Sequence, residues 1–190
     1  MPTDTAYPRT VSIGDRVFML RPMLLEDREP LLDLARSLPV HDLLFLNGDI
    51  TDAGQMDAWM RDIGRAENVT ILAFSAGRLA GFCSVVRSAT GWTRHVGELR
   101  VVVIPEMRGR GLGRVLTAEA FRHAIAMGVQ KMVAQMTADQ DHAIRAFRRL
   151  GFHQEAVLHD QVKDRGNQPL DLVIMARGAL DEDLPLSPAA

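Results

Sequence analysis

The 190 residues fall within the range of one domain and suffice to bury a single sizeable core without staples. Apolar residues at 47% and charged residues at 24% exclude a disordered or fibrous chain, and 22 Lys plus Arg against 24 Asp plus Glu exclude the basic bias that drives sequence-independent nucleic-acid binding. The one cysteine, Cys83, excludes an intramolecular disulfide and a multi-cysteine metal centre and fits a reducing compartment.

In chain order, residues 1–9 have neither a basic stretch followed by an apolar one nor any periodicity, and are expected to be loosely held. With no apolar run of about 18 residues anywhere, a cytoplasmic protein with no membrane partner is expected. Val17 to Arg21 reads as a strand. Glu26 or Asp27 then caps a helix whose first turn tolerates Pro30, with Leu31, Leu34, Ala35 and Leu38 at helical spacing and Pro39 as its stop. After a polar stretch from Val40 to Thr51, Asp52 and Gln55 make the three-residue offset of a capping box, and Met56, Trp59, Met60 and Ile63 line a second helix.

Thr70 to Ser75, Leu79 to Val86 and Glu98 to Ile104 are three successive strands, split at Ala76-Gly77-Arg78 and by the turn-like stretch Arg87 to Gly97. Gly111 to Met127 carries Leu112, Val115, Leu116, Phe121, Ala124 and Ile125 at the 3.6 period, and Gly128 stops it. Lys131 to Met136 returns to strand, Asp141 to Leu150 is a helix closed by Gly151, and Leu172 to Met175 is a final strand, with room for one more near Gln154 to Leu158. The order β-α-α-β-β-β-α-β-α-β predicts one α/β domain over 1–190, with a core at about 10–180 around a mixed sheet.

The chemistry concentrates where the strand ending at Ile104 meets the helix beginning at Gly111. The first N–H groups of a helix lack intrahelical partners, the macrodipole adds partial positive charge there, and glycines let an anion approach the main chain. Spacing narrows the anion. A dinucleotide fingerprint needs Gly where Arg114 or Leu116 stands, and a P-loop needs Gly-Lys-Ser/Thr. Neither is present.

The pattern Arg108-Gly109-Arg110-Gly111-Leu112-Gly113 instead resembles the acyl-CoA pyrophosphate loop of the GNAT acyltransferase superfamily. A second motif follows at the family's separation: Gln140, Ala143, Phe147, Gly151 and Phe152. The resemblance covers roughly Val17 to Met175. It implies a mixed, mostly antiparallel central sheet flanked by helices, acetyl-CoA as co-substrate, and transfer of the acetyl group to a primary amine by direct attack. It also implies that Val101, Val102 and Val103 pair with the pantetheine arm, that the main chain from Gly109 to Arg114 holds the pyrophosphate, and that Gln140 and Phe147 touch CoA. The family commonly dimerises, so a homodimer is among the implied partners.

Two departures matter. The usual tyrosine that protonates the leaving thiolate is Phe147 here, and the one tyrosine, Tyr7, falls in the stretch expected to be loose, so no general acid is assigned. This departure leaves open a non-enzymatic alternative, an acyl-CoA sensor without turnover. Glu98 resembles a water-activating glutamate and is the candidate base, with a strand-end carboxylate paired to an arginine as the bland reading; the next strand's equivalent position is Gln135, which cannot accept a proton. His41 to Asp52 and His159 to Asn167 are expected to set acceptor specificity. Arg145, Arg148 and Arg149 are candidates for the 3′-phosphate or form a solvated helix face, Trp92 is a candidate for the acceptor wall, and Trp59, in register with Met56 and Ile63, reads as core rather than wall. His95, His123, His142, His153 and His159 have no ligand spacing, so no metal is expected. Cys83 reads as a buried strand residue rather than a nucleophile.

Overall fold

The computed structural model describes residues 7–43, 49–61, 67–88 and 90–181. Alternation of Val11 and Ile13 with polar neighbours, then Gly14 at φ +59°, folds strand β1 (Arg9–Ile13) back on β2 (Arg16–Pro22). Helix α1 (Arg28–Ser37) buries Leu31, Leu32, Leu34 and Ala35. Its N-cap, Asp27, is 2% exposed and takes two bonds from Arg21, at 2.5 and 2.7 Å. Asp52 accepts from the Gln55 N–H at 2.9 Å to cap α2 (Ala53–Met60).

Then come β3 (Asn68–Ser75), β4 (Arg78–Arg87), β5 (Val96–Val103), α3 (Leu112–Ala126), β6 (Lys131–Thr137), α4 (Asp141–Arg149), β7 (His153–Lys163) and β8 (Pro169–Gly178). They form one eight-stranded sheet in the order β1-β2-β3-β4-β5-β6-β8-β7. Every neighbouring pair is antiparallel except β5 with β6. This is the mixed, mostly antiparallel α/β sheet expected. No helix among the described residues is long and apolar enough to cross a membrane.

Helices cover both faces. Adjacent strand residues point to opposite sides; Phe82 packs at a tilt against Trp59 of α2, with centroids 5.3 Å apart, whereas Cys83 lies against the backbone of Ala120 in α3. The α1–α2 layer and α3 therefore sandwich the sheet, and Leu20, Leu72, Phe82, Leu116 and Met132 fill the layers between at 0% exposure.

Two expectations are corrected. An additional strand, β1, precedes the expected elements, while the optional strand near Gln154 is present and extends over the eleven residues of β7. Tyr7 is not loose. It is half-buried, and its hydroxyl meets the Glu119 carboxylate in the middle of α3 and His123 Nε2 (2.7 Å) in its last turn, while Arg9 Nη1 bonds Glu119 at 3.0 Å. Glu119 is wholly buried, and Arg9 and Arg122 supply its compensating charge. Ile63 lies outside the described residues.

Candidate functional site

The sheet is continuous except at one seam. β4 pairs with β5 from Arg87↔Gly97 through Gly81↔Val103, and β6 pairs with β8 from Lys131↔Gly178 through Thr137↔Leu172. Between β5 and β6 the pairing stops after Val96↔Lys131, Gly97↔Met132 and Glu98↔Val133. Two parallel strands thus part, and a gap opens at their carboxyl ends, where α/β sheets place ligands.

The backbone groups that line this gap follow from alternation. Ile104 N–H donates to the Ala80 carbonyl at 3.0 Å, so even-numbered residues of β5 exchange bonds with β4. At the other end the His95 carbonyl accepts from Gln130 and Lys131, so odd-numbered residues face β6. Val101 and Val103 consequently turn their N–H and C=O groups into the gap. Val102, grouped with them from the sequence, turns its own toward Phe82.

At the mouth of the gap, Pro105–Met107 form one 3-10 turn, and the main chain then passes through Gly109 at φ +69° and Gly111 at φ +98°. Gly111 is the N-cap of α3 and has no side chain to cap with, which leaves the Leu112 and Gly113 N–H groups at the helix mouth without a side-chain cap. Arg110 and Arg114 are exposed beside it. Arg108 Nε donates to the Val103 carbonyl at 3.0 Å, and its Nη2 reaches Asp42 Oδ2 at 2.5 Å. One guanidinium thus joins the end of β5 to the α1–α2 connection.

The second motif stands on the other wall, because α4 starts where β6 ends. Gln140 is its N-cap and anchors the turn through N–H to the Thr137 carbonyl at 3.0 Å. Phe147 packs edge-on against Phe152, with centroids 5.0 Å apart, and Phe152 packs likewise against Phe121 at 5.9 Å. Gly151 sits at φ +83°, where a Cβ would lie 2.6 Å from Nη1 of the buried Arg177, whose guanidinium caps the Leu150 carbonyl.

The face opposite α3 carries Glu98 and Arg100. Both the Nε and Nη2 of Arg100 approach Glu98 Oε1, at 2.8 and 2.7 Å, while Arg100 Nη2 makes no hydrogen bond of good geometry. The bland pairing is thus present, yet it engages only one carboxylate oxygen; among the described residues nothing bonds Oε2. Gln135 is exposed on this face across the gap. The two segments expected to set acceptor specificity meet each other: Arg165, in the β7–β8 turn, bonds Asp49 Oδ2 at 2.8 Å. Asp49 is held below the usual carboxylate range, first by the Thr51 hydroxyl, then by the Thr51 N–H and Arg165.

Other candidates are placed elsewhere. The His41 side chain lies outside the described residues. Trp59 is core-facing, while Trp92 is 97% exposed in the β4–β5 turn, at the closed end of the seam and not at an acceptor wall. Arg145 pairs within its own helix turn with His142, at 3.2 Å. Cys83 is 1% exposed, and burial pushes its thiol up to about 12, so it holds no thiolate. Among the described residues no cluster of three or more His, Cys, Asp or Glu is arranged as a metal site.

The sequence profile of the Acetyltransferase (GNAT) family matches residues 39–152, more than half of the chain, and spans both motifs. The chain belongs to this family. Streptothricin acetyltransferase of Streptomyces lavendulae is 38% identical over 88 residues, 46% of each chain. A mycothiol acetyltransferase of Thermobispora bispora is 35% identical over 101 residues, 52% of this chain and 32% of its own. The match to these curated relatives thus spans less than half of their length. Among solved structures, the ribosomal-protein-alanine N-acetyltransferase of Brucella melitensis superposes with TM-score 0.73 at 25% identity, over 84% of this chain and 98% of its own. The putative acetyltransferase yncA of Salmonella typhimurium, solved with its cofactor acetyl-CoA, superposes at 0.73 and 22% identity, over 91% and 98%, a likeness of fold.

Proposed function

We propose that this GNAT protein binds acetyl-CoA in the β5–β6 gap and transfers its acetyl group directly to a primary amine. The observation that carries the reading is the parting of two parallel strands after Glu98, with the Val101 and Val103 backbone turned into the opening and a glycine turn at its mouth. The pantetheine arm pairs with Val101 and Val103 as an added strand would, and the main chain from Gly109 to Arg114 receives the pyrophosphate. Gln140 and Phe147 form the opposite wall.

The amine enters from the face opposite α3. An ammonium has no lone pair to attack a thioester, so a proton must leave first. Glu98 takes it through a water on Oε2, while Arg100 fixes Oε1. A further gap-facing backbone N–H of β5, near Val103, meets the oxyanion that develops on the thioester carbonyl. With Phe147 in place of tyrosine, the CoA thiolate, whose pKa lies near 8.5 by analogy with Cys, leaves as the C–S bond breaks and takes its proton from water or from the attacking nitrogen, which sheds one as it becomes the amide. Tyr7 does not serve: its hydroxyl is engaged at Glu119, and burial pushes it up to about 12.

Rim residues Asp42, Asp49 and Arg165 border the acceptor entrance. Relatives named for streptothricin and mycothiol make small amines the first class to screen. The decisive assay is thiol release from acetyl-CoA across an amine panel, with Glu98→Gln. Release that depends on an amine, with the acid limb of the kcat/KM profile lost in Glu98→Gln, supports the reading; an unchanged profile removes Glu98 as base. Acetyl-CoA binding with no release above background for any amine would favour the sensor reading, which Phe147 permits.

A further inference from the structure

At the closed end of the seam, far along α3 from the glycine turn, a cleft of about 720 Å³ opens among Arg87, Trp92, Arg94, His95, Met127 and Gln130. Its volume falls within the range of small-molecule sites. Three features there are individually uneconomical. Trp92 is the most exposed large apolar side chain among the described residues, at 97%. The turn that bears it is nonetheless held: Val96 N–H donates to the Thr93 carbonyl at 2.8 Å, and the His95 carbonyl accepts from Gln130 at 2.8 Å. Arg87 Nε is shut off from solvent without a hydrogen-bond partner among the described residues. Among the described residues none lining the cleft is acidic, and neither Arg87 nor Arg94 has a carboxylate partner.

The carbonyl end of α3 at Met127 and Gly128 accounts for one nearby cation, since helix C-termini favour positive charge. It does not account for two unpaired guanidiniums together with an indole held in water. Forked guanidinium donors match phosphate oxygens, an exposed indole offers a stacking face, and Gln130 supplies a donor and an acceptor for a ring edge.

We propose that this cleft is a second binding site, for a small phosphate-bearing molecule with a planar ring, of the nucleoside phosphate class. Arg87 and Arg94 take the phosphate, and Trp92 covers the ring.

The test is calorimetric titration of the full chain with ADP in the presence of saturating CoA, repeated in Gly113→Asp so that the glycine turn cannot be the site observed. The expected result is one saturable site whose affinity falls roughly tenfold or more in Arg87→Gln and in Arg94→Gln, and falls again in Trp92→Ala, with unchanged melting temperatures. ADP should bind roughly tenfold more tightly than adenosine or inorganic phosphate alone. Absence of saturable binding up to about 1 mM overturns the proposal. So does binding indifferent to all three substitutions, or inorganic phosphate binding as tightly as ADP.

Discussion

Gly111 and Gly113 stand two residues apart in the same turn, and replacing each by alanine should move stability in opposite directions. Gly111 caps α3 at φ +98°, and a Cβ there meets Ile13 Cγ2 at 3.3 Å. An L-residue held in left-handed space costs about 1–2 kcal/mol, so Gly111→Ala is expected to destabilise by at least that lower figure. Gly113 lies inside the first helical turn, and its added Cβ would stand 3.9 Å from Val103 Cγ2, an ordinary contact. Removing glycine's backbone freedom there gains about 0.5–1 kcal/mol. The two variants should therefore differ by about 2 kcal/mol, or about 4–8 °C in melting temperature for a chain of this size. Thermal melts of the unliganded proteins, supported by urea midpoints, measure this directly. Equal shifts of the same sign, or Gly111→Ala as stable as wild type, would refute the turn geometry on which the proposed pyrophosphate site depends.

Cys83 should be silent toward a disulfide reagent in the native protein and react only on unfolding, and Cys83→Ala should retain thiol-releasing activity; full loss would replace direct transfer by a covalent route. Burial, reinforced by the Arg122 charge, holds His123 below its ordinary value. The unfolded chain then takes up a proton near pH 6.5 before the folded one does, so stability falls as pH drops from about 7 toward 5. His123→Gln should flatten that limb of the urea-midpoint profile, and parallel profiles would show that His123 is not its source.

Much of this architecture is written locally. Asp52 and Gln55 announce α2, and Leu31, Leu34 and Ala35 give the buried stripe of α1. The glycine turn is legible because the need for left-handed backbone at Gly109 and Gly111 restricts residue choice. Strand β1 was also marked, by Val11 and Ile13 followed by Gly14-Asp15, but its pattern is only five residues long and lies beside an aperiodic terminus.

Other features leave no local trace. Tyr7 finds its partners 112 and 116 residues away, Arg108 meets Asp42 across 66 and Arg165 meets Asp49 across 116. Sequence spacing holds no information on such pairs, because tertiary packing brings them together. Arg177 is the extreme case: an arginine in a strand reads as solvent-facing, yet it is 2% exposed and packs over Phe121 beneath Gly151. The glycine at 151 is legible as a left-handed helix stop, at φ +83°, but its second reason, the approach of Arg177, comes from a residue beyond the motif.

The proposed chemistry rests on acetyl-CoA occupying the gap between β5 and β6, and calorimetric titration of wild type against Gly113→Asp tests it most directly. Aspartate suits the first turn of a helix, so the fold should be kept, while its carboxylate stands at the mouth beside Val103 and repels a pyrophosphate. The account predicts roughly micromolar binding by wild type and at least about a thirtyfold loss, about 2 kcal/mol, in a variant that melts no lower. Well-folded wild type that takes up no acetyl-CoA, or a variant that binds it equally well, would contradict the account.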